Sequence, residues 1–187
     1  MDVDLIIKKY YQPYTKGYDI YIQHVTAVAK TALSVCENNP ELNINKELVY
    51  NAAMLHDIGI CMVDAASIEC YGFCPYIQHG ILGRLILEDE GFADYGRFCE
   101  THVGTGFYKD EIIDRKLPLP IKDMIPNTIE EQVVCYADKF FSKSDADLSV
   151  PKNLERVKHS IAKYGQRGAA VFENWLNMFG FDYIYDK

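Results

Sequence analysis

Four of the five histidines and two of the aspartates are the residues in this sequence that could do chemistry together. They are His24, His56, Asp57, His79, His102 and Asp138. Imidazole nitrogens and carboxylate oxygens bind divalent cations, and this set is large enough for two metal ions once waters and a bridging carboxylate are added. The sequence therefore predicts a metal centre organised around the adjacent pair His56 and Asp57.

The four histidines fall on four different predicted helices or helix ends, Asp57 follows His56 directly, and Asp138 lies on a fifth helix. Apolar positions at helical spacing predict helices over residues 2–12, 19–37, 48–57, 76–90, 94–102 and 128–141, with further helices within 151–180. The fourth residue of a capping box that begins at Thr128 is Glu131, and the helix started there carries Asp138. No segment alternates with the period of a strand, so the predicted fold is all-α.

Length and composition limit the kinds of protein that this can be. The chain has 187 residues, of which 49% are hydrophobic and 25% charged, and we expect a single domain over residues 1–187. Its motifs span about 20–145, and the C-terminal helices within 151–180 pack on that part. The net charge of -8 argues against a nucleic-acid polymer as partner. No apolar run approaches the ~20 residues of a membrane span, and the acidic start lacks the pattern of a signal peptide, so we expect no membrane partner and a cytoplasmic location.

The order H…HD…H…H…D resembles the ligand order of the HD-domain superfamily of all-α metal-dependent phosphohydrolases. The resemblance implies that one metal ion is held by His24, His56, Asp57 and Asp138. It implies a second ion at His79 and His102, with Asp57 bridging, as in the two-metal branch. Residues 102–106, 117–126 and 128–139 are also similar to a small branch in which an H-x-G-x-G segment precedes a T-x-E-E…Y-A-D helix.

By this resemblance the protein is expected to be an enzyme that hydrolyses a phosphomonoester, a phosphodiester or a nucleotide with metal-activated water. Asp57 and Lys139 are the expected catalytic residues. Lys139, directly after Asp138, is expected as a phosphate contact, and a solvated lysine on the helix surface is the alternative for it. Iron is the expected metal, with manganese, zinc, cobalt, nickel and magnesium as alternatives. Many HD sequences have Lys or Arg where this chain has Ile60, so that cation is missing here.

The expected partner is a small phosphorylated molecule, with a nucleotide as the first candidate. Three loop aromatics could stack on its base: Tyr71, Phe73 and Tyr76. Two other functions stay open. Some HD-fold proteins with the same four histidines and two aspartates are mixed-valence di-iron oxygenases, and nitrogen-rich ligation suits iron. The third possibility is a non-catalytic nucleotide-binding module, although such a module has no need of a complete ligand set.

Overall fold

The computed structural model describes residues 2–145, 147–163 and 165–185. These residues form nine α-helices: α1 (Val3–Tyr10), α2 (Lys16–Asn38), α3 (Lys46–Leu55), α4 (His79–Asp89), α5 (Ala93–Thr101), α6 (Lys109–Asp114), α7 (Ile129–Asp138), α8 (Leu154–Ala162) and α9 (Gln166–Phe179). Two short strands, β1 (Asp64–Ala65) and β2 (Cys70–Tyr71), pair antiparallel between α3 and α4. The predicted all-α fold is confirmed. None of the described helices is long and apolar enough to cross a membrane.

Side-chain caps decide where several helices begin. The Thr15 hydroxyl accepts a hydrogen bond from a backbone N–H of the first turn of α2, and the side chains of Asn45 and Asn153 do the same for α3 and α8. The second predicted helix consequently starts at Lys16, earlier than expected. Because Asn153 is the cap, α8 begins after it rather than at Pro151.

The helix that carries Asp138 differs from its prediction at both ends. Thr128 accepts a hydrogen bond from the backbone N–H of Glu131 at 3.2 Å, but the Glu131 carboxylate accepts from the N–H of Asn127 at 2.7 Å rather than from Thr128. Only half of the predicted capping box is therefore present. The helix ends at Asp138, so the expected continuation to Phe141 is wrong.

Helix α2 packs against α3 and α7, and α4 packs along α5. Two glycines allow unusually close approaches between the elements that carry the histidines. A Cβ atom on Gly59 would lie 2.2 Å from the carbonyl oxygen of His79, and one on Gly80 would lie 2.5 Å from the carbonyl oxygen of Cys99. Larger residues at these two positions would push α4 away from the turn after α3 and from α5.

The C-terminal helices cover α7. Helix α9 contacts both α8 and α7. The ring of Tyr136 is fully buried beside Phe172, and its hydroxyl donates to the carbonyl oxygen of Gly180 at 2.7 Å. Trp175 donates from its indole nitrogen to Gln132 at 3.2 Å. These contacts fix the position of the last turn of α7, which ends in a candidate ligand.

Candidate metal centre

The six predicted ligand residues lie together in the interior, although they come from five helices. They are His24 from α2, His56 and Asp57 from the residues after α3, His79 from the first turn of α4, His102 from the residue after α5, and Asp138 from the last turn of α7. Five of them are at most 3% exposed, and the Asp138 side chain is 13% exposed. Such burial of six ionisable or polar side chains requires compensating partners.

The ligand atoms form two overlapping groups, and within each group they all lie within 4.8 Å of one another. The four-ligand group consists of His24, His56, Asp57 and Asp138. The three-ligand group consists of Asp57, His79 and His102. The two oxygens of Asp57 are divided between them: Oδ2 lies 3.0 Å from Nε2 of His24, whereas Oδ1 lies 3.2 Å from Nε2 of His102.

Backbone carbonyls orient three of the four imidazoles. Nδ1 of His56, His79 and His102 lies 2.7, 2.6 and 2.8 Å from the carbonyl oxygen of the residue three positions earlier. Because a carbonyl oxygen can only accept, Nδ1 must donate, and in a neutral ring the lone pair is then on Nε2. Nδ1 of His24 is buried without a hydrogen-bond partner among the described residues.

The lone pairs that result from this arrangement converge. Nε2 of His79 and Nε2 of His102 lie 3.1 Å apart, and each is also within 3.5 Å of Oδ1 of Asp57. Oδ1 of Asp57 and the Nε2 atoms of His24 and His56 are buried without a hydrogen bond in the described part of the chain. Acceptors that face one another repel unless a cation lies among them, so these residues fit a metal ion.

Lysines keep the two carboxylates ionised. Burial alone would raise the pKa of Asp57, but His56 and Lys143 outweigh it and hold that pKa well below its usual range. Nζ of Lys143 lies 2.6 Å from Oδ2 of Asp57. Burial also raises the pKa of Asp138, but Lys139, at 2.8 Å, acts together with His24, His56 and Lys143 to hold that pKa well below its usual range. Both aspartates are therefore anionic at neutral pH.

The histidines of the two groups titrate differently. Burial, followed by the neighbouring His102, lowers the pKa of His79 to about 3. Burial also disfavours the charged form of His56, but Asp57 and Asp138 outweigh it and raise the pKa of His56 to about 9. The three-ligand group thus presents a neutral imidazole at pH 7, while the four-ligand group holds a proton that a metal ion must displace.

A cavity of about 330 Å³ opens beside the three-ligand group. His79, His102 and Asp138 line it, but His24 and His56 do not. One part of its wall is cationic and comprises Lys139, Lys143 and Lys152. Another part is apolar and comprises Ile77, Val103, Phe107, Phe141, Val157 and Ile161. A volume near the lower end of the range for ligand sites suits a compact molecule.

Of the other residues singled out in the sequence, some line the cavity and others do not. Lys139 lines the cavity and also donates to the carbonyl oxygen of His102 at 2.8 Å. Tyr76 lines the cavity too, with its ring 4.8 Å from the ring of His79. Tyr71 and Phe73 are 68% and 99% exposed and do not line the cavity. Only one of the three aromatics is therefore placed to contact a ligand there.

Sequence reasoning missed Lys143 and Lys152. With α7 predicted to continue to Phe141, Lys143 was not expected near Asp57. The helix instead ends at Asp138, and the chain after it brings Lys143 to within 2.6 Å of Asp57. Lys152 lies in an irregular segment without a motif. Both lysines could have been placed near the site only if the end of α7 at Asp138 had been predicted, and nothing in the local sequence indicates that end.

A family model described as HD domain matches residues 21–142. The chain belongs to the HD domain family. The HD domain indicates a family of metal-dependent hydrolases. The cluster of histidines and aspartates, which could hold a metal ion, agrees with this family. The matched residues include all six members of that cluster and end one residue before Lys143.

The HD domain chain is similar to part of two proteins named tRNA (cytidine(56)-2'-O)-methyltransferase. It is 35% identical to the one from Picrophilus torridus over 125 residues, which are 66% of this chain and 32% of that protein. It is 33% identical to the one from Thermoplasma volcanium over 153 residues, 81% of this chain and 39% of that protein. The matches therefore span about a third to two fifths of these relatives.

An uncharacterized protein of Methanocaldococcus jannaschii is also similar. It is 35% identical over 120 residues, which are 63% of this chain and 63% of that protein. No solved structure matches this chain. None of the names of these three proteins states a substrate for an HD domain.

Proposed function

We propose that this chain is a metal-dependent phosphohydrolase that acts on a small phosphorylated substrate through two metal ions. The four-ligand group would hold one ion and the three-ligand group the other, with Asp57 bridging. The observation that carries the proposal is the convergence of Nε2 of His79, Nε2 of His102 and Oδ1 of Asp57, three buried acceptors at the edge of a cavity. When bound, divalent cations there would polarise phosphoryl oxygens and lower the pKa of a coordinated water.

The charge of the site favours an anionic substrate. Asp57 and Asp138 carry the two negative charges of the ligand groups, and Lys139 and Lys143 already balance them. Any bound divalent cation leaves the site with excess positive charge, which a phosphate group would offset. Lys139 uses two of its three N–H donors on Asp138 and on the carbonyl oxygen of His102, so one remains for a phosphate oxygen.

The reaction is a hydrolysis. The oxygen of a water molecule bonds to phosphorus, the bond from phosphorus to the bridging oxygen of the organic group breaks, and that leaving oxygen takes one proton. The chain holds the phosphate in place through Lys139, and the apolar wall of the cavity limits access of other water. Asp57 stays ionised because of its cationic neighbours, so it can act as a bridging ligand at neutral pH.

The methyl transfer in the names of the relatives is not proposed for this chain. Most of each of those proteins lies outside the match, and we propose that methyl transfer belongs to that unmatched part. Converging imidazoles and carboxylates are suited to metal-assisted chemistry. A cavity of about 330 Å³ is suited to a small substrate rather than to a folded RNA.

The test is metal content and phosphate release measured together under anaerobic conditions. Protein loaded with manganese, zinc or iron is assayed for inorganic phosphate from nucleoside monophosphates, sugar phosphates and phosphodiesters. We expect about two metal ions per chain and turnover that Asp57→Asn lowers by at least roughly a hundredfold. Asp64→Asn is the matched control because Asp64 is exposed, and circular dichroism checks that both variants fold.

The nitrogen-rich ligand set supports one competing function. Four imidazoles and two carboxylates also suit a di-iron oxygenase. Such an enzyme would show two irons, no anaerobic phosphate release, and oxygen consumption with a suitable substrate. That result would replace the hydrolase, and a protein that binds no metal at all would contradict both functions.

A further inference from the structure

Part of the cavity wall comes from outside the residues that the family model matches. The match ends at residue 142. The wall beyond that point consists of Lys143, Lys152, Val157, Ser160, Ile161 and Gly168. Helix α8 and the segment before it thus face the metal ligands across the cavity. Residues beyond the family match are therefore in position to touch a substrate.

The three cavity lysines are not equivalent. Lys139 and Lys143 are each within 2.8 Å of a carboxylate oxygen of the ligand groups. Lys152 forms no ion pair with any residue that the structure describes, although it is half-buried. Its ammonium is the one cavity cation, within the described ranges, whose charge no carboxylate contact offsets.

The backbone of Lys152 is held in place from two sides. Its N–H donates to the carbonyl oxygen of Phe140 at 2.7 Å, which ties it to the residues just after α7. Its carbonyl oxygen accepts a hydrogen bond from the hydroxyl of Tyr185 at 2.9 Å. These bonds anchor an unpaired cation beside the cavity, which is the arrangement of a binding group rather than of a solvated surface lysine.

We infer that Lys152 binds the phosphate group of a compact phosphomonoester, whose organic part lies against the apolar side of α8 at Val157 and Ile161. The assignment of the ligand as a phosphomonoester rests on the proposed hydrolysis, but the anion site itself does not depend on turnover. It makes α8 the element that selects the substrate. It also supplies a phosphate-binding cation to a chain in which position 60 is a buried isoleucine.

The electrostatics of Lys152 agree with this role. Burial lowers the pKa of Lys152 to about 8, while the charges of Asp138 and Lys139 act on it in opposite directions. Asp145 also favours the charged form of Lys152, whereas Arg156 disfavours it, so both influence this pKa. At pH 7 the group is still mostly charged, and a phosphate dianion bound beside it would favour the charged form.

The first experiment probes the anion site without turnover. Metal-loaded wild-type protein is acetylated with a limiting amine-reactive ester, with and without inorganic phosphate, and each lysine is quantified by peptide mass spectrometry. We expect phosphate to slow acetylation of Lys152 at least fivefold and to leave Lys163 unchanged. Lys163 is the control because it is exposed at the end of α8 and does not line the cavity. Equal acetylation of Lys152 with and without phosphate overturns the inference.

The second experiment uses turnover. Lys152→Met keeps most of the aliphatic length and removes the charge, so KM for a phosphomonoester should rise about 10- to 100-fold while kcat changes little, as expected for the loss of a charge-assisted hydrogen bond. Lys163→Met should leave both unchanged. An unchanged KM in Lys152→Met overturns the inference even if the protein is a hydrolase. Phosphate protection of Lys152 in a protein that hydrolyses nothing supports the anion site and removes the proposed function.

Discussion

The four-ligand group and the three-ligand group share Asp57 but have different surroundings. The four-ligand group has two carboxylates, each with a lysine beside it, and its two histidines are shut off from the cavity. The three-ligand group has one shared carboxylate, and both of its histidines line the cavity. Metal sites that bind tightly have a full set of protein ligands, whereas catalytic sites keep a position for water or substrate. Under the proposed function, we therefore expect the four-ligand group to retain its metal ion and the three-ligand group to contact the substrate.

Removing one histidine from each group should give the largest difference between the groups, both in metal content and in the rate of hydrolysis. His102→Ala leaves only two protein ligands in its group, so we expect metal content to fall from about two to about one and hydrolysis to fall by at least roughly a hundredfold. His24→Ala leaves three ligands, so its group should still bind a metal, with affinity lowered by roughly 10- to 100-fold. Metal content by elemental analysis and phosphate release at increasing metal concentration are the measurements.

His159→Ala is the matched control because His159 is exposed and belongs to neither group. It should match the wild type in metal content and in rate. Excess metal should restore activity to His24→Ala but not to His102→Ala. Equal losses in the two ligand variants would contradict the division of roles between the groups.

The second largest difference between the groups should be in how their metal affinity depends on pH. The pKa of His56 is raised to about 9, so in metal-free protein its contribution to stability is fully present below about 6.5 and is lost as the pH rises through 9. That contribution is on the order of 3 kcal/mol. Metal binding to the four-ligand group must displace this proton, so its affinity should rise by up to about tenfold per pH unit below pH 9. His79, with a pKa of about 3, has no proton to displace over this range.

Ring carbon NMR signals of the histidines in metal-free protein test this difference directly. His56 should titrate with a midpoint near 9, and His79 should stay neutral down to about pH 4. Single substitutions of each histidine assign the signals. Titration of both rings near the ordinary value of 6.5 would remove the electrostatic difference between the two groups.

Some features of the site could be predicted from the sequence, and others could not. The clustering of the six candidate ligands was predictable because His56 and Asp57 are adjacent and the other candidates fall on periodic helices, whose packing brings them together. The roles of the lysines were not. They depend on where α7 stops, and a helix end without a strong stop signal is set by tertiary packing rather than by local propensity. The division of the Asp57 oxygens between the groups also requires coordinates, since no spacing encodes it.

The smallest expected effect comes from Lys143. Its ammonium lies 2.6 Å from Oδ2 of Asp57, the oxygen on the side of the four-ligand group, and Oδ1 faces the other group. A metal ion in the four-ligand group must compete with this lysine for Oδ2. Lys143→Met should therefore tighten metal binding in that group by about tenfold, or about 1.4 kcal/mol. Competition of cobalt with a coloured chelator measures it.

Binding to the three-ligand group should change less in Lys143→Met, because the contact that the lysine makes with Asp57 is to Oδ2. Combining Lys143→Met with His102→Ala gives the combined His102 variant, which isolates the four-ligand group. Combining Lys163→Met with His102→Ala is the control for the loss of one positive charge. Weaker cobalt binding in the combined His102 variant would mean that Lys143 supports the metal site instead of competing with it. The lysine would then hold Asp57 in the orientation that a metal needs, and the two groups would be coupled through that carboxylate.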